Sequence, residues 1–424
     1  MSGHKIRPVL VCGVMLGLLA TATRANEWRL ADAVQIHPTG TQPSLFNGRV
    51  AYLDFVSGAV MYYDGEASHL IYAALLYNHE PINTNNGVAW RNRTGSSVAT
   101  NEILLWDGTF PVTAQNISNT PNIVESDIAA GSNGDVMWSR NHAELYYYTA
   151  ATGVAAPLGI AGELPSLYIT PDGTATYAWQ NPTTDDIFYF DGETTHLLGR
   201  GAVFGGRPSV WNGMVAWVGE SEVGTYFTTG EIYYWKNGVT HRLTNDDAIG
   251  GRADDFPKVW NDTIVWQRSP TNPMARRIYF WDGQQIWPLS TDEAKYPSYH
   301  DGQVAYEASD GLYLARLEAV VGACCVAGGQ CLLRRQSECL ALGGVYQGHD
   351  TLCDPSPCPP PLGNPNCDLV VDVNDIPPFI LALIDPAAYA AAYPGCDRMQ
   401  ADVNQDGQVD GRDVAPFAAL LLGQ

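Results

Sequence analysis

Positive charge is scarce in this chain: 23 Lys and Arg stand against 45 Asp and Glu in 424 residues, a formal charge of −22. A surplus of that sign repels phosphate backbones and anionic membrane, which argues against nucleic acid as a partner. Long apolar runs are missing too. The only one, 9–20, is too short to cross a bilayer, so no transmembrane segment is expected. No cysteine occurs between Cys12 and Cys324. There is also no G-x-S-x-G elbow, H-E-x-x-H pair or P-loop, which removes the commonest signatures of serine hydrolases, zinc peptidases and nucleotide hydrolases.

What is present begins with Lys5 and Arg7, then the short apolar run, then small residues. That pattern reads as a secretory signal over 1–25, cleaved after Ala22 or Ala25. Its loss leaves 20 basic residues against 45 acidic ones, a charge of −25. The mature chain is expected to be exported, secreted or held at the cell surface. The full 424 residues, 46% of them hydrophobic, suffice for one large core and smaller appended domains.

One unit is written seven times. It is clearest in RPSVWNGMVAW (207–217), a variable insert, then EIYYWKNGVTHRLT (231–244). The aromatic that ends its second strand falls at Tyr52, Trp90, Trp138, Trp179, Trp217, Trp266 and Tyr306, in steps of 38, 48, 41, 38, 49 and 40 residues. Self-similarity at that period marks a propeller or a solenoid. Each copy is expected to begin a strand at a proline: Pro43, Pro81, Pro121, Pro165, Pro208, Pro257 and Pro297. An Asn-Gly or Asp-Gly turn follows in most copies, favouring tight hairpins. A third strand is rich in aromatic and β-branched residues, which suit a pleated surface, and a fourth ends near leucine, as in SHLI (68–71) and HRLT (241–244).

Four antiparallel strands per copy, without helices between them, make blades around an axis. The seventh copy stops after LYLARLEA (312–319) and lacks a fourth strand. The strand Trp28-Arg29-Leu30-Ala31 stands ready to supply it and close the ring, removing exposed edges. The repeat resembles the TolB-like β-propeller repeats over 28–318. The resemblance implies a fold rather than an activity. The expected fold class is mainly β: a seven-bladed β-propeller, then a small disulfide-rich module, then a small α-helical calcium-binding domain.

Candidate ligand-face residues are those beside the repeat prolines, where an inner strand opens on the channel: His79, Glu80, Glu163, Arg207, Asp254, Asp255 and Lys295. Paired carboxylates among them would suit glycoside cleavage. His69, His196 and His241 occupy equivalent fourth-strand positions, so symmetry scatters them around the rim. His37, His142 and His300 are isolated in sequence, and no catalytic residue is assigned.

Beyond the repeats, Cys324, Cys325, Cys331, Cys339, Cys353 and Cys358 crowd into 323–359. In an exported chain an even count reads as three disulfides, with fifteen connectivities open, and zinc is the rival reading. This segment resembles cysteine-rich modules of secreted planctomycete proteins.

The most specific motif lies near the C-terminus. Asp402, Asn404, Asp406, Gln408 (carbonyl), Asp410 and Asp413, with Gly407 at the sixth position, match an EF-hand-type calcium loop. An imperfect copy precedes it: Asn364, Asn366, Asp368, Val370 (carbonyl), Asp372 and Asp375, with Leu369 in place of the glycine. The pair resembles a type I dockerin over 362–424, and a disulfide between Cys367 and Cys396 is expected within it. The positions that follow the ninth ligand hold Val373-Asn374 and Gly411-Arg412. These are not the small hydroxyl residues of typical cohesin contacts, so the partner of the tail is cohesin-like or another surface component.

The leading functional expectation is a secreted, calcium-binding, non-catalytic propeller that recognises an extracellular polysaccharide or protein and is tethered by the tail. The alternatives are a glycoside hydrolase or polysaccharide lyase active in polysaccharide catabolism, and a structural protein of an extracellular layer.

Overall fold

The computed structural model describes residues 26–73, 78–85, 87–93, 101–202, 205–219, 230–245, 253–269, 276–290, 292–326, 329–358, 361–368 and 370–422. The expected signal segment, Leu369 and most of the long inserts at 91–100, 218–230 and 267–276 lie outside these residues.

Seven four-stranded antiparallel sheets account for the repeats. Blades 1 to 6 occupy 40–72, 78–116, 125–161, 163–200, 209–242 and 253–288. Blade 7 joins three strands from 294–319 to β1 (Trp28–His37), the first strand of the described chain. As the sequence implies, Trp28 pairs with Ala319, Leu30 with Leu317 and His37 with Leu312. Contacts between successive inner strands run through all seven blades and from blade 7 back to blade 1, so the ring is closed.

The pattern within a blade follows from stacking sheets on sheets. The second strand is covered on both faces by neighbouring blades, so it is buried continuously rather than alternately, as in Met214–Gly219. Its aromatic wedges between blades: Tyr52, Trp90, Trp138, Trp217 and Trp266 are each no more than 1% exposed. Third strands, such as Asp186–Phe190, alternate buried and half-buried positions because only one face meets the next blade fully. Fourth strands lie outermost and are the most exposed.

A recurring Pro-Ser dipeptide ties blade to blade. The Ser44 Oγ accepts from Asn83 N (2.9 Å), Ser166 Oγ from Val210 N (3.0 Å) and Ser209 Oγ from Val259 N (3.1 Å). The Ser298 Oγ accepts from Leu45 N (2.8 Å), repeating the same link across the closure. These bonds satisfy backbone donors at the inner edge of each sheet, which would otherwise lack a partner in a buried position.

Two features differ from the sequence reading. The repeat prolines do not begin the first strands; most sit inside them at a β-bulge, where a missing N–H costs nothing. Pro121 is not the third repeat proline. It lies in the connection ahead of Glu125–Ala130, and Ile128 occupies the equivalent bulge.

The cysteine-rich segment forms three disulfides, Cys324–Cys339, Cys325–Cys358 and Cys331–Cys353, which settles the connectivity and consumes the thiols a zinc site would need. It is docked on the closure seam. The buried Glu27 carboxylate accepts from Ser337 N (2.6 Å) and Ser337 Oγ (2.7 Å), and Arg335 pairs with Asp282 (3.3 Å).

Candidate functional site

Each blade puts one side chain into the channel, from the first-strand bulge in six blades and from just ahead of the first strand in blade 5. The residues are Gln42, Glu80, Asp127, Leu164, Arg207, Phe256 and Tyr296, and all line a single cavity of about 400 Å³. Every one has a positive φ, between 43° and 55°. Left-handed backbone at a non-glycine residue costs on the order of 1–3 kcal/mol and persists only where the surroundings impose it. Here the bulge imposes it and swings the side chain off the sheet toward the axis. The conformation repeats seven times, so it belongs to the scaffold; the side chains do not repeat.

Their chemistry is divided around the ring. Blades 2 and 3 supply two carboxylates, Glu80 and Asp127. Blades 5 and 6 supply Arg207 and, two residues beyond Phe256, Lys258. Arg207 lies over the Phe256 ring (4.4 Å) and pairs with Asp255 (3.4 Å), while Phe256 meets Tyr296 edge-on (5.0 Å). A cavity of this size, with an acidic arc facing a cationic and aromatic arc, suits a small polar ligand or one residue of a chain.

Walls of protein raise the cost of charge here even though the cavity itself is open. Glu80 pairs with Arg91 at 3.5 Å, yet its Oε2 is shut off from water with no hydrogen-bond partner, and burial pushes its carboxyl upward in pKa. Burial, aided by Arg207, brings the Lys258 ammonium down to about 8 from an ordinary 10.5. A base whose pKa is lowered by folding opposes folding while it is charged, and that penalty fades as pH rises from about 8 toward 10.5. Lys258→Met should therefore raise the melting temperature at pH 7, with the gain shrinking toward pH 10.5; a pH series of thermal melts reads this directly.

The sequence-predicted residues divide sharply. Glu80 and Arg207 line the cavity. His79, Glu163, Asp255 and Lys295 stand one position behind the ring residue of their blades, held by local contacts such as Lys295 to Glu307 (2.7 Å). Asp254 is spent inside its blade, where its buried carboxylate accepts from Arg268 (2.7 and 2.8 Å) and Trp266 Nε1 (2.9 Å). His300 packs on Phe46 (4.4 Å) away from the cavity. As symmetry requires, His69 and His196 sit on fourth strands and pair with Asp64 and Asp191, each at 2.7 Å.

Sequence reasoning missed Gln42, Asp127, Leu164, Phe256, Lys258 and Tyr296: in blades 4, 6 and 7 it took the residue one position behind the ring, and in blade 3 it took Pro121 for the repeat proline. Six of the seven ring residues directly precede a proline, and that regularity was the available signal. It also missed His142. The short turn between Val136–Arg140 and Glu144–Thr149 brings this imidazole beside Asp127 and Glu163. Burial pushes the Asp127 carboxyl up, but hydrogen bonds from His142 and Ser139 prevail and hold it low. The Asp127 carboxylate raises His142 in turn.

Comparison with known proteins concerns the fold. No family model matches the sequence, and no curated protein does. The β-propeller domain of the Trilobed protease from Pyrococcus furiosus, described as having an open velcro topology, matches 68% of this chain and 96% of its own at 11% identity, with a TM-score of 0.46. An acylaminoacyl peptidase from Pyrococcus horikoshii matches 66% of this chain and 52% of its own at 12% identity, TM-score 0.46. A virginiamycin B lyase from Staphylococcus aureus matches 69% and 100% at 12% identity, TM-score 0.45. With seven four-stranded sheets closing on themselves, the fold is decided. This chain is built as a β-propeller. Nothing about what those three proteins act on carries over at such identities.

The C-terminal segment repeats its own local geometry. Asp372 and Asp410 have matching backbone angles, φ −143° and −144°, and each opens a short 3₁₀ turn. Asp375 accepts from Asn366 N (3.4 Å) and Asp372 N (2.8 Å); Asp413 accepts from Asn404 N (3.0 Å) and Asp410 N (2.9 Å). The helices that follow, α2 (Ile376–Ile384) and α4 (Val414–Leu421), stack Phe379 on Phe417 at 3.8 Å, the fourth residue past each aspartate. Between them runs α3 (Pro386–Ala392), and α1 (Gln336–Ala341) belongs to the cysteine-rich segment. The Cys367–Cys396 disulfide ties the first loop to the chain beyond α3.

Proposed function

We propose that this protein is a secreted, non-catalytic recognition module: the channel ring binds an extracellular polysaccharide or protein ligand, and a dockerin-like calcium unit at 362–424 tethers it. The observation that carries the first half is the ring itself. Seven non-repeating side chains, turned inward by one backbone conformation repeated seven times, line one cavity. The Glu80 Oε2 with no partner there is a group awaiting a hydrogen-bond donor.

The second half rests on the loops. Asp402, Asn404, Asp406, Asp410, Asp413 and the Gln408 carbonyl would hold calcium in the second loop; Asn364, Asn366, Asp368, Asp372, Asp375 and the Val370 carbonyl would do so in the first. The residues fit such a cation. Asn364 is fully buried and its side-chain oxygen has no partner. Burial, then the charges of Asp368 and Asp372, push Asp375 upward, a cost that a bound divalent ion would reverse. Gly407, at φ 82°, makes the sharp turn calcium loops require. Calcium would supply a hard charge that organises both loops before their helices dock. Export is supported by the four disulfides, and among the described residues no helix is long and apolar enough to cross a membrane.

The test is a panel of polysaccharides and extracellular proteins presented to the full chain, scored for retention and for released product. Retention without product is expected; release of sugar would establish the hydrolase or lyase alternative instead.

A further inference from the structure

The wall between blades 3 and 4 carries a second feature, independent of whether the cavity takes a ligand. His142 Nδ1 lies 3.3 Å from Asp127 Oδ2 and 3.9 Å from Glu163 Oε2, and the three donor atoms all fall within 4.8 Å of one another. We infer that His142, Asp127 and Glu163 form a site for a divalent first-row transition cation, zinc or manganese by chemistry, with an open coordination position on the channel side.

Geometry sets this cluster apart from the protein's other imidazole–carboxylate pairs. Where this protein pairs an imidazole with a carboxylate, at His69–Asp64 and His196–Asp191, the atoms close to 2.7 Å. That is the separation expected of a charge-assisted hydrogen bond, about 2.7–2.9 Å. Around His142 they stand off at 3.3 and 3.9 Å. A single Nδ1 proton cannot serve two carboxylates, and Ser126 Oγ also approaches the same nitrogen at 3.2 Å. Three donors around a tetrahedral ion with bonds of about 2.0–2.1 Å sit roughly 3.3 Å apart; His142 and Asp127 already stand at 3.3 Å, and Glu163, 3.9 Å from His142, would be drawn inward by an ion. One imidazole and two carboxylates suit borderline cations rather than calcium, which takes oxygen alone.

The surroundings are built to hold these groups. Ser139 Oγ donates to Asp127 Oδ2 (2.8 Å), orienting the carboxylate as a supporting hydrogen bond orients a metal ligand. Asn141, His142 and Asp127 all have left-handed backbone, φ 55°, 53° and 49°. Two successive residues of this kind make the tight hairpin that delivers His142 to the channel mouth. Glu80, whose Oε2 has no hydrogen-bond partner, is a further carboxylate on the cavity side that acts on Asp127, with Arg91 as the counter-charge to both.

The test is calorimetric titration of zinc, and separately manganese, into the full chain with calcium in excess to saturate the tail. One ion per chain is expected. The variants His142→Ala and Glu163→Gln should weaken binding by roughly 10–100-fold or more, while His69→Ala and His196→Ala leave it within about twofold, since single exposed imidazoles bind such ions weakly. Thermal melts without zinc confirm that each variant is folded. Unchanged stoichiometry and affinity in folded His142→Ala, loss of binding on changing the rim histidines, or no saturable binding of either metal would each overturn the assignment.

Discussion

Deleting residues 26–37 should abolish cooperative unfolding of the ring. This strand is the fourth of blade 7, and without it the strand Gly311–Ala319 becomes an unpaired edge and the ring can part between blades 7 and 1. Trp28 packs edge-on against Phe280 (4.9 Å), and Leu30 joins the same core cluster. At about 1.5–3 kcal/mol for a fully buried side chain, this half-buried pair contributes roughly 3 kcal/mol before any ladder bond is counted. That is already a large part of a typical margin of about 5–15 kcal/mol. Glu27 goes with the strand, leaving Ser337 of the cysteine-rich segment without its acceptor, and Arg335, which keeps Asp282, loses the Trp28 ring beneath it. The expected result is a broad, early melt by circular dichroism and a tendency to aggregate. A sharper variant is Gly311→Val. A Cβ there would stand 2.6 Å from the His37 carbonyl oxygen, on backbone at φ 148° that disfavours any side chain. A truncated chain that melts like its parent would show that the seam is dispensable.

Removing calcium should unfold the C-terminal unit and leave the ring intact. In the second loop, Asp402 accepts from Asp406 N (3.1 Å) and Gly407 N (2.9 Å), and Asp413 from two further backbone donors. Such contacts hold four acidic side chains together in 402–413, and three in 366–375, only if their charge is neutralised; Arg412, on Asp406 at 3.0 Å, is a largely exposed partial counter-charge. At a calcium concentration 1,000 times its dissociation constant, binding adds about 4 kcal/mol. A chelator should therefore remove a low-temperature transition carried by α2 and α4, and Asp413→Ala should reproduce the loss. The stacked Phe379–Phe417 pair predicts that the two loops melt together rather than in turn. A melting profile indifferent to chelator would contradict the calcium reading.

Much of the fold was legible because blade chemistry is periodic. The VAW-type strands, the Asn-Gly turns and the orphan strand at Trp28 specified seven sheets and their closure, since each copy faces the same packing problem. The connection of the six cysteines was not legible, because fifteen pairings satisfy the same spacing and only the three-stranded sheet around Gly322–Cys325 selects one. Blade 3 misled the proline count. Its bulge carries Ile128, and the backbone conformation there is set by the ring rather than by proline.

The site was half legible. Glu80 and Arg207 were found because residues beside the repeat prolines open on the channel. Asp254 was found for the same reason and is instead a buried structural anion paired with Arg268. A bulge displaces the inward-facing register by one residue, and no pattern of hydrophobicity records that shift. His142 stands alone in the sequence, with no partner nearby in the chain, whereas a turn of three residues delivers the imidazole to the cavity wall beside Asp127 and Glu163.

The central claim is that recognition resides in the non-repeating ring and not in the repeating rim. It is tested most directly by comparing retention on the best-bound member of the ligand panel for the parent, the ring variant Glu80→Gln/Arg207→Ala, and the rim variant His69→Ala/His196→Ala, all checked for equal melting. The account predicts that the ring variant loses retention by at least about tenfold, the effect of roughly 1.4 kcal/mol, and that the rim variant binds as the parent does. Retention lost with the rim histidines and kept with the altered ring would contradict it.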